Sequence, residues 1–167
     1  DTARGLVQQM LEEYPDSVTA TILMGIIAGR TGRPADAIRS FKRALELDKR
    51  SAEAYNNLAV ILRQQSRLKE ALAAVRHAEK LDSKRADILY NRANILKDLG
   101  KRGEAIKTYR RAIDADERFV LAYNNLGTLY QAQGDIQSAI ETFNRGLAVD
   151  PNHPTLRYNL GLAYENQ

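Results

Sequence analysis

The sequence predicts an all-α chain, a stack of antiparallel helix pairs in which one small unit is copied several times. Three observations predict it. Ala37, Ala71, Ala105 and Ala139 lie 34 residues apart, and their neighbours repeat with them as Asp36-Ala37-Ile38, Glu70-Ala71-Leu72, Glu104-Ala105-Ile106 and Ser138-Ala139-Ile140. The pentapeptide Ala54-Tyr55-Asn56-Asn57-Leu58 returns letter for letter at Ala122 to Leu126, two periods later. Within each half-unit, apolar residues recur at steps of three and four, which is one face of a helix, and no strand pattern intervenes. A fixed period of this length means stacked copies of a unit that cannot bury its apolar face alone.

With the repeated Ala as the twentieth position, the full units are 18–51, 52–85, 86–119 and 120–153. Residues 1–17 match the second half of a unit through Ala3, Val7, Met10 and Pro15, and residues 154–167 match a first half. Each unit reads as two helices. In Ala52 to Gln65 the face is Tyr55, Leu58, Ala59 and Leu62; in Leu68 to Leu81 it is Leu68, Ala71, Leu72, Val75, Ala78 and Leu81. Between the halves stands Gly32, Ser66, Gly100 or Gly134, and Gly suits the left-handed end of a helix because it has no Cβ. Small Ala residues at positions twenty and twenty-seven let the paired helices approach closely. Asp48, Asp82, Asp116 and Asp150 precede the break to the next unit, which Pro151 reinforces once.

Composition narrows the function. Of 167 residues, 44 % are hydrophobic, enough for a continuous core. No run of about 18 apolar residues is present, so no membrane span is expected. No basic stretch followed by an apolar run opens the sequence at Asp1, so no signal peptide is expected in it. The chain has no cysteine, which excludes disulfides and thiol chemistry without fixing a compartment. A net charge of +4 arises from 25 basic and 21 acidic residues that are interspersed, the pattern of a solvated mixed surface, so no nucleic-acid partner is expected.

Catalysis is not expected either. His77 and His153 are the only histidines and have no ligand-spaced partners, so neither metal nor cofactor is expected. No phosphate-binding Gly loop and no nucleophile motif appears. Basic residues crowd the second unit, but an RNA-reading helical array usually repeats at 35 residues, and the period of 34 with its Ala marks favours a protein ligand.

These marks resemble the tetratricopeptide repeat (TPR), whose unit carries apolar or aromatic residues at positions four, seven, eleven and twenty-four, small ones at eight, twenty and twenty-seven, and Pro at thirty-two. Residues 120–153 supply Tyr123, Leu126, Gly127, Tyr130, Ala139, Phe143, Gly146 and Pro151. The first unit is looser, with Thr21 and Ala28, but keeps Met24, Gly25, Ala37, Phe41 and Ala44. Arg92 stands where the family puts a buried Leu, so its head is expected to be paired or to snorkel to the solvent edge. The resemblance implies a right-handed α-α superhelix, a TPR solenoid, whose first helices line a concave groove.

Groove positions in this chain are rich in carboxamides. Position six reads Leu23, Asn57, Asn91, Asn125 and Asn159; position five reads Ile22, Asn56, Tyr90, Asn124 and Tyr158; position nine reads Ile26, Val60, Asn94, Thr128 and Leu162. Asn is a poor helix former, yet its side chain offers both an acceptor and a donor to a passing peptide unit. Packed helices lie about 10 Å apart, roughly three extended residues at about 3.3 Å each, so a ladder of Asn can follow a polypeptide backbone. The row is similar to the asparagine ladder in the repeat region of O-linked N-acetylglucosamine transferase, which grips polypeptide. Expected peptide contacts are therefore Asn57, Asn91, Asn125, Asn159, Asn56, Asn124, Tyr90, Asn94 and Tyr158, with an apolar end at Ile22, Leu23 and Ile26. The family's carboxylate clamp for chaperone tails is not matched, since Glu53, Asp87, Leu121 and Thr155 occupy its cationic second position.

The functional expectation is a non-catalytic scaffold that binds an extended polypeptide. Two alternatives accompany it. One is the substrate-recognition region of a larger enzyme such as a glycosyltransferase. The other is a self-assembling scaffold in which residues 154–167 of one copy dock head to tail on residues 1–17 of another. Half-units at both ends are also what a segment of a longer array would show.

Overall fold

The computed structural model describes residues 2–167; Asp1, which opens the first half-unit, lies outside them. The described residues form ten helices: α1 (Thr2–Glu13), α2 (Val18–Arg30), α3 (Pro34–Leu47), α4 (Ala52–Gln64), α5 (Leu68–Leu81), α6 (Ala86–Asp98), α7 (Arg102–Ala115), α8 (Val120–Gln131), α9 (Ile136–Val149) and α10 (Pro154–Glu165). They fall into two compact units divided after Ser83. In the first, α2 packs on α3 and α4 on α5, with α3 bridging to α4 and α1 against α2. In the second, α6 packs on α7 and α8 on α9, with α7 against α8, and α10 against α9 and α8.

All four breaks between paired helices close in the same way. Gly32, Ser66, Gly100 and Gly134 have φ of 71°, 57°, 74° and 79°. The next N–H reaches back over the turn, Arg33 to Ala28, Arg67 to Leu62, Lys101 to Leu96 and Asp135 to Tyr130, at 2.9 to 3.0 Å. This doubly bonded ending satisfies carbonyls that the helix itself leaves open. Ser66 is the one side-chain-bearing residue held in this left-handed turn, a conformation that costs an L residue about 1–2 kcal/mol. Ser66→Gly should therefore raise unfolding stability by about 1 kcal/mol in a denaturant titration. A loss of stability would show that the Ser66 hydroxyl carries a compensating contact.

Breaks between successive repeats have another chemistry. The carboxylates of Asp48, Asp116 and Asp150 each accept the N–H two residues on, from Arg50, Arg118 and Asn152, a side-chain turn that ends the second helix. This accounts for the recurring Asp. Ser17, Ser51 and His153 then cap the following helix by accepting an N–H three residues on.

At the start of the second helices, Arg33, Arg67 and Lys101 pair with Asp36, Glu70 and Glu104. The fourth copy replaces the pair by Asp135, which caps Ser138 directly. The hydrogen bonds from Arg67 hold the Glu70 carboxyl below the usual carboxylate range, and those same bonds raise the Arg67 guanidinium. A lowered carboxylate contributes stability above the ordinary range and loses it as pH falls through the lowered midpoint; both groups face solvent, so the contribution is small. Arg67→Ala should move the Glu70 midpoint upward in an NMR titration, and an unmoved midpoint would dissociate the two groups.

The core runs between the paired helices. Ala37, Ala71, Ala105 and Ala139 are fully buried, as are Ala44, Ala78 and Ala112 at the twenty-seventh position. The third position, Ala20, Ala54, Ile88, Ala122 and Leu156, is equally buried. Size is matched across the pairs. A Cβ on Gly25 would lie 2.6 Å from the Phe41 ring, and one on Gly127 would run into Phe143. In the second copy the corresponding residues are Ala59 and Val75. Arg92 is half-buried in α6.

Candidate peptide-binding face

The second unit places most of its expected contact residues in one hydrogen-bonded network. Tyr109, fully buried on α7, donates its hydroxyl to Asn94 Oδ1 on α6 at 2.6 Å. Asn125 Nδ2, on α8, donates to the same oxygen at 2.9 Å and to the Tyr90 hydroxyl at 3.1 Å. Asn124 Nδ2 donates to Asn125 Oδ1 at 3.3 Å, and Asn159 Nδ2, on α10, donates to Asn124 Oδ1 at 2.9 Å. Tyr90 also lies edge-on to Phe119 and tilted against Tyr109. Asn94 is 3 % exposed, so its carboxamide acts inside the fold. Both lone pairs of its oxygen, and both hydrogens of Asn125 Nδ2, find partners within the protein.

The remaining residues are distributed differently. Asn91 is half-buried, and Tyr158 is 67 % exposed on α10. Asn56 is 4 % exposed. In the first unit, Asn57 is half-buried and has no hydrogen bond to another described residue. It borders a depression of about 320 Å³ between α2, α3 and α4, whose apolar lining includes Ile26, Val60 and Ile61 with Phe41 behind, and whose edge carries Arg30 and Gln64. Of the apolar end expected at Ile22, Leu23 and Ile26, Ile22 is buried, Leu23 is exposed and Ile26 lines this depression.

Sequence reasoning missed three parts of this face: Tyr109 as the anchor of the network, and Arg30 and Gln64 at the rim of the depression. A signal was present. Two periods separate Ile26, Phe41 and Asn57 from Asn94, Tyr109 and Asn125, so two apolar residues in the first unit answer two hydroxyl- or amide-bearing ones in the second. Of the two histidines, His77 stacks on Tyr55 and His153 caps α10. Among the described residues no cluster of acidic and histidine side chains has metal-binding geometry.

Models of the tetratricopeptide repeat match residues 22–86 and 84–152. The chain belongs to the TPR family. No curated protein matches it. Among solved structures it is similar to MamA, at 28 % identity over 87 % of this chain and 85 % of that one, with a TM-score of 0.77. It is also similar to pilF of Pseudomonas aeruginosa, at 25 % identity over 89 % of this chain and 68 % of that one, with a TM-score of 0.82. YrrB, described as a TPR protein with an unusual peptide-binding site, shares the fold at 23 % identity, covering 96 % and 84 % of the two chains with a TM-score of 0.75. This is an all-α TPR solenoid, and TPR chains are protein-interaction scaffolds that bind protein or peptide partners. No helix among the described residues is long and apolar enough to cross a membrane.

Proposed function

We propose that the partner is an extended polypeptide held on the faces of the first helices of the repeats, and that the protein itself is non-catalytic. The observation that carries this reading is Asn57, a half-buried carboxamide on a groove position that has no hydrogen-bond partner among the described residues. A group of that kind is available to the N–H and C=O of a passing chain. Asn91, Asn159 and Tyr158 are the further contacts, with Asn124, Asn125 and Tyr90 forming a polar floor in the second unit that the buried Asn94 supports; Asn56 is buried in α4. At about 0.5–1.5 kcal/mol net per hydrogen bond, a few such contacts give reversible binding with little dependence on side chains.

Capture from a peptide array tests the reading, comparing the protein with its Asn57, Asn91, Asn125 and Asn159 quadruple Ala variant, whose helicity is checked by circular dichroism. Broad capture that disappears in the folded variant is the expected result; equal capture by both overturns it.

A second reading is favoured by exposed apolar side chains on α1 and α10. Leu6 and Met10 are exposed on α1, with Tyr14 just beyond it, and Tyr158 and Tyr164 are exposed on α10. Head-to-tail association of copies would cover them. The solution mass should then rise with concentration; one mass at all concentrations excludes it.

A further inference from the structure

The two units carry the same positions with different chemistry, and the difference assigns side-chain recognition to the first. In the second unit, Asn94, Tyr109 and Asn125 are bonded to one another. Two periods earlier stand Ile26, Phe41 and Asn57. Neither Ile nor Phe offers a side-chain hydrogen bond, so Asn57 has no hydrogen-bond partner among the described residues, and the space beside it is lined largely by hydrocarbon. The depression, about 320 Å³, is at the lower end of the roughly 300–1,000 Å³ typical of ligand sites, enough for one aliphatic side chain.

Charge completes the chemistry. Among the described residues Arg30 is the only charged one lining the depression, and no acid lines it. Arg30 and Gln64, like Asn57, have no hydrogen bond or ion pair to another described residue. The counterpart of Arg30 two periods later is Asp98, so the charge at this position changes sign between the two units. A guanidinium with free donors beside an apolar wall complements a carboxylate next to an apolar group.

We infer that the first unit is the specificity site of the scaffold, taking from the bound polypeptide one aliphatic side chain against Ile26, Val60 and Ile61 and an adjacent carboxylate at Arg30, while Asn57 and Gln64 bond its backbone. This rests on the polypeptide-binding reading above and adds a sequence preference to it.

Fluorescence anisotropy with labelled nine-residue Gly/Ser peptides tests it, their central pair being Leu-Glu, Leu-Lys or Ser-Glu. Leu-Glu should bind about tenfold tighter than Ser-Glu, from burial of the side chain, and about threefold tighter than Leu-Lys, from a partly exposed charge pair. Arg30→Glu, on an exposed side chain, should reverse the Glu-over-Lys preference without affecting folding. The double variant Ile26→Asn/Phe41→Tyr copies the second unit's pattern, gives Asn57 its partners and should abolish the Leu preference while keeping helicity. Equal affinities for all three peptides would overturn the specificity site and leave backbone binding standing. No binding of any peptide would overturn both readings. A Glu preference unchanged in Arg30→Glu would remove Arg30 from the site.

Discussion

Asn94→Ile should destabilise the protein by about 2–4 kcal/mol, although it exchanges a buried polar residue for an apolar one. The Tyr109 hydroxyl is fully buried and donates to Asn94 Oδ1, and Asn125 Nδ2 donates to the same oxygen. Removing that oxygen takes away the acceptor to which the buried hydroxyl donates, a cost of about 1–3 kcal/mol, and takes one bond from Asn125. Adding Tyr109→Phe should recover most of the loss, because the pair then matches Ile26 and Phe41 in the first unit. The check is a double-mutant cycle from denaturant titrations, with an expected coupling of about 1–2 kcal/mol. Additive effects would mean that the two side chains act independently and that the network is incidental.

Gly127→Ala is the second large effect, expected to cost about 1–3 kcal/mol for a single methyl group. A Cβ there has no room against the Phe143 ring, which is itself fully buried between α8 and α9. The chain contains its own solution, since Ala59 faces the smaller Val75 at the same positions. Phe143→Val alone leaves a cavity, but combined with Gly127→Ala it should be less harmful than the sum of the single changes. Thermal melts of the four proteins decide it. Strict additivity would show that α8 and α9 shift apart to admit the methyl group and that the ring does not set their spacing.

These two cases show where the sequence is legible and where it is not. Helix positions follow from period and punctuation: the second helix Leu68–Leu81 occurs as expected, and the first helix of the same repeat, expected over Ala52 to Gln65, ends one residue early at Gln64. The turns at Gly32, Gly100 and Gly134 are legible because only a residue without Cβ takes positive φ freely. Ser66 shows that the fold imposes this turn even where the residue resists it. The buried Ala marks at positions twenty and twenty-seven were legible because small residues mark close helix approach, whereas the buried third position carries Ala, Ile or Leu and gives no constant letter.

Asparagine is the hard case. Asn57, Asn91, Asn125 and Asn159 share one letter and one position, yet among the described residues the Asn125 side chain has hydrogen-bond partners and that of Asn57 has none. The difference lies in residues distant in the chain: Asn125 bonds Asn94 and Tyr90, whose counterparts two periods earlier are Ile26 and Ile22. A row of identical carboxamides is thus partly a packing device and partly an open surface, and only the residues stacked beside each Asn separate the two.

The central claim is that a polypeptide ligand lies on the first helices. The most direct measurement is an NMR titration of the ¹⁵N-labelled protein with a peptide captured from the array, following backbone and Asn side-chain amides. The account predicts the largest shifts at the side-chain amides of Asn57, Asn91 and Asn159 and along α2 and α4 near Ile26 and Val60, with a smaller change at Asn125. Shifts confined to α3, α5, α7 and α9, with the Asn57 amide unmoved, would contradict it.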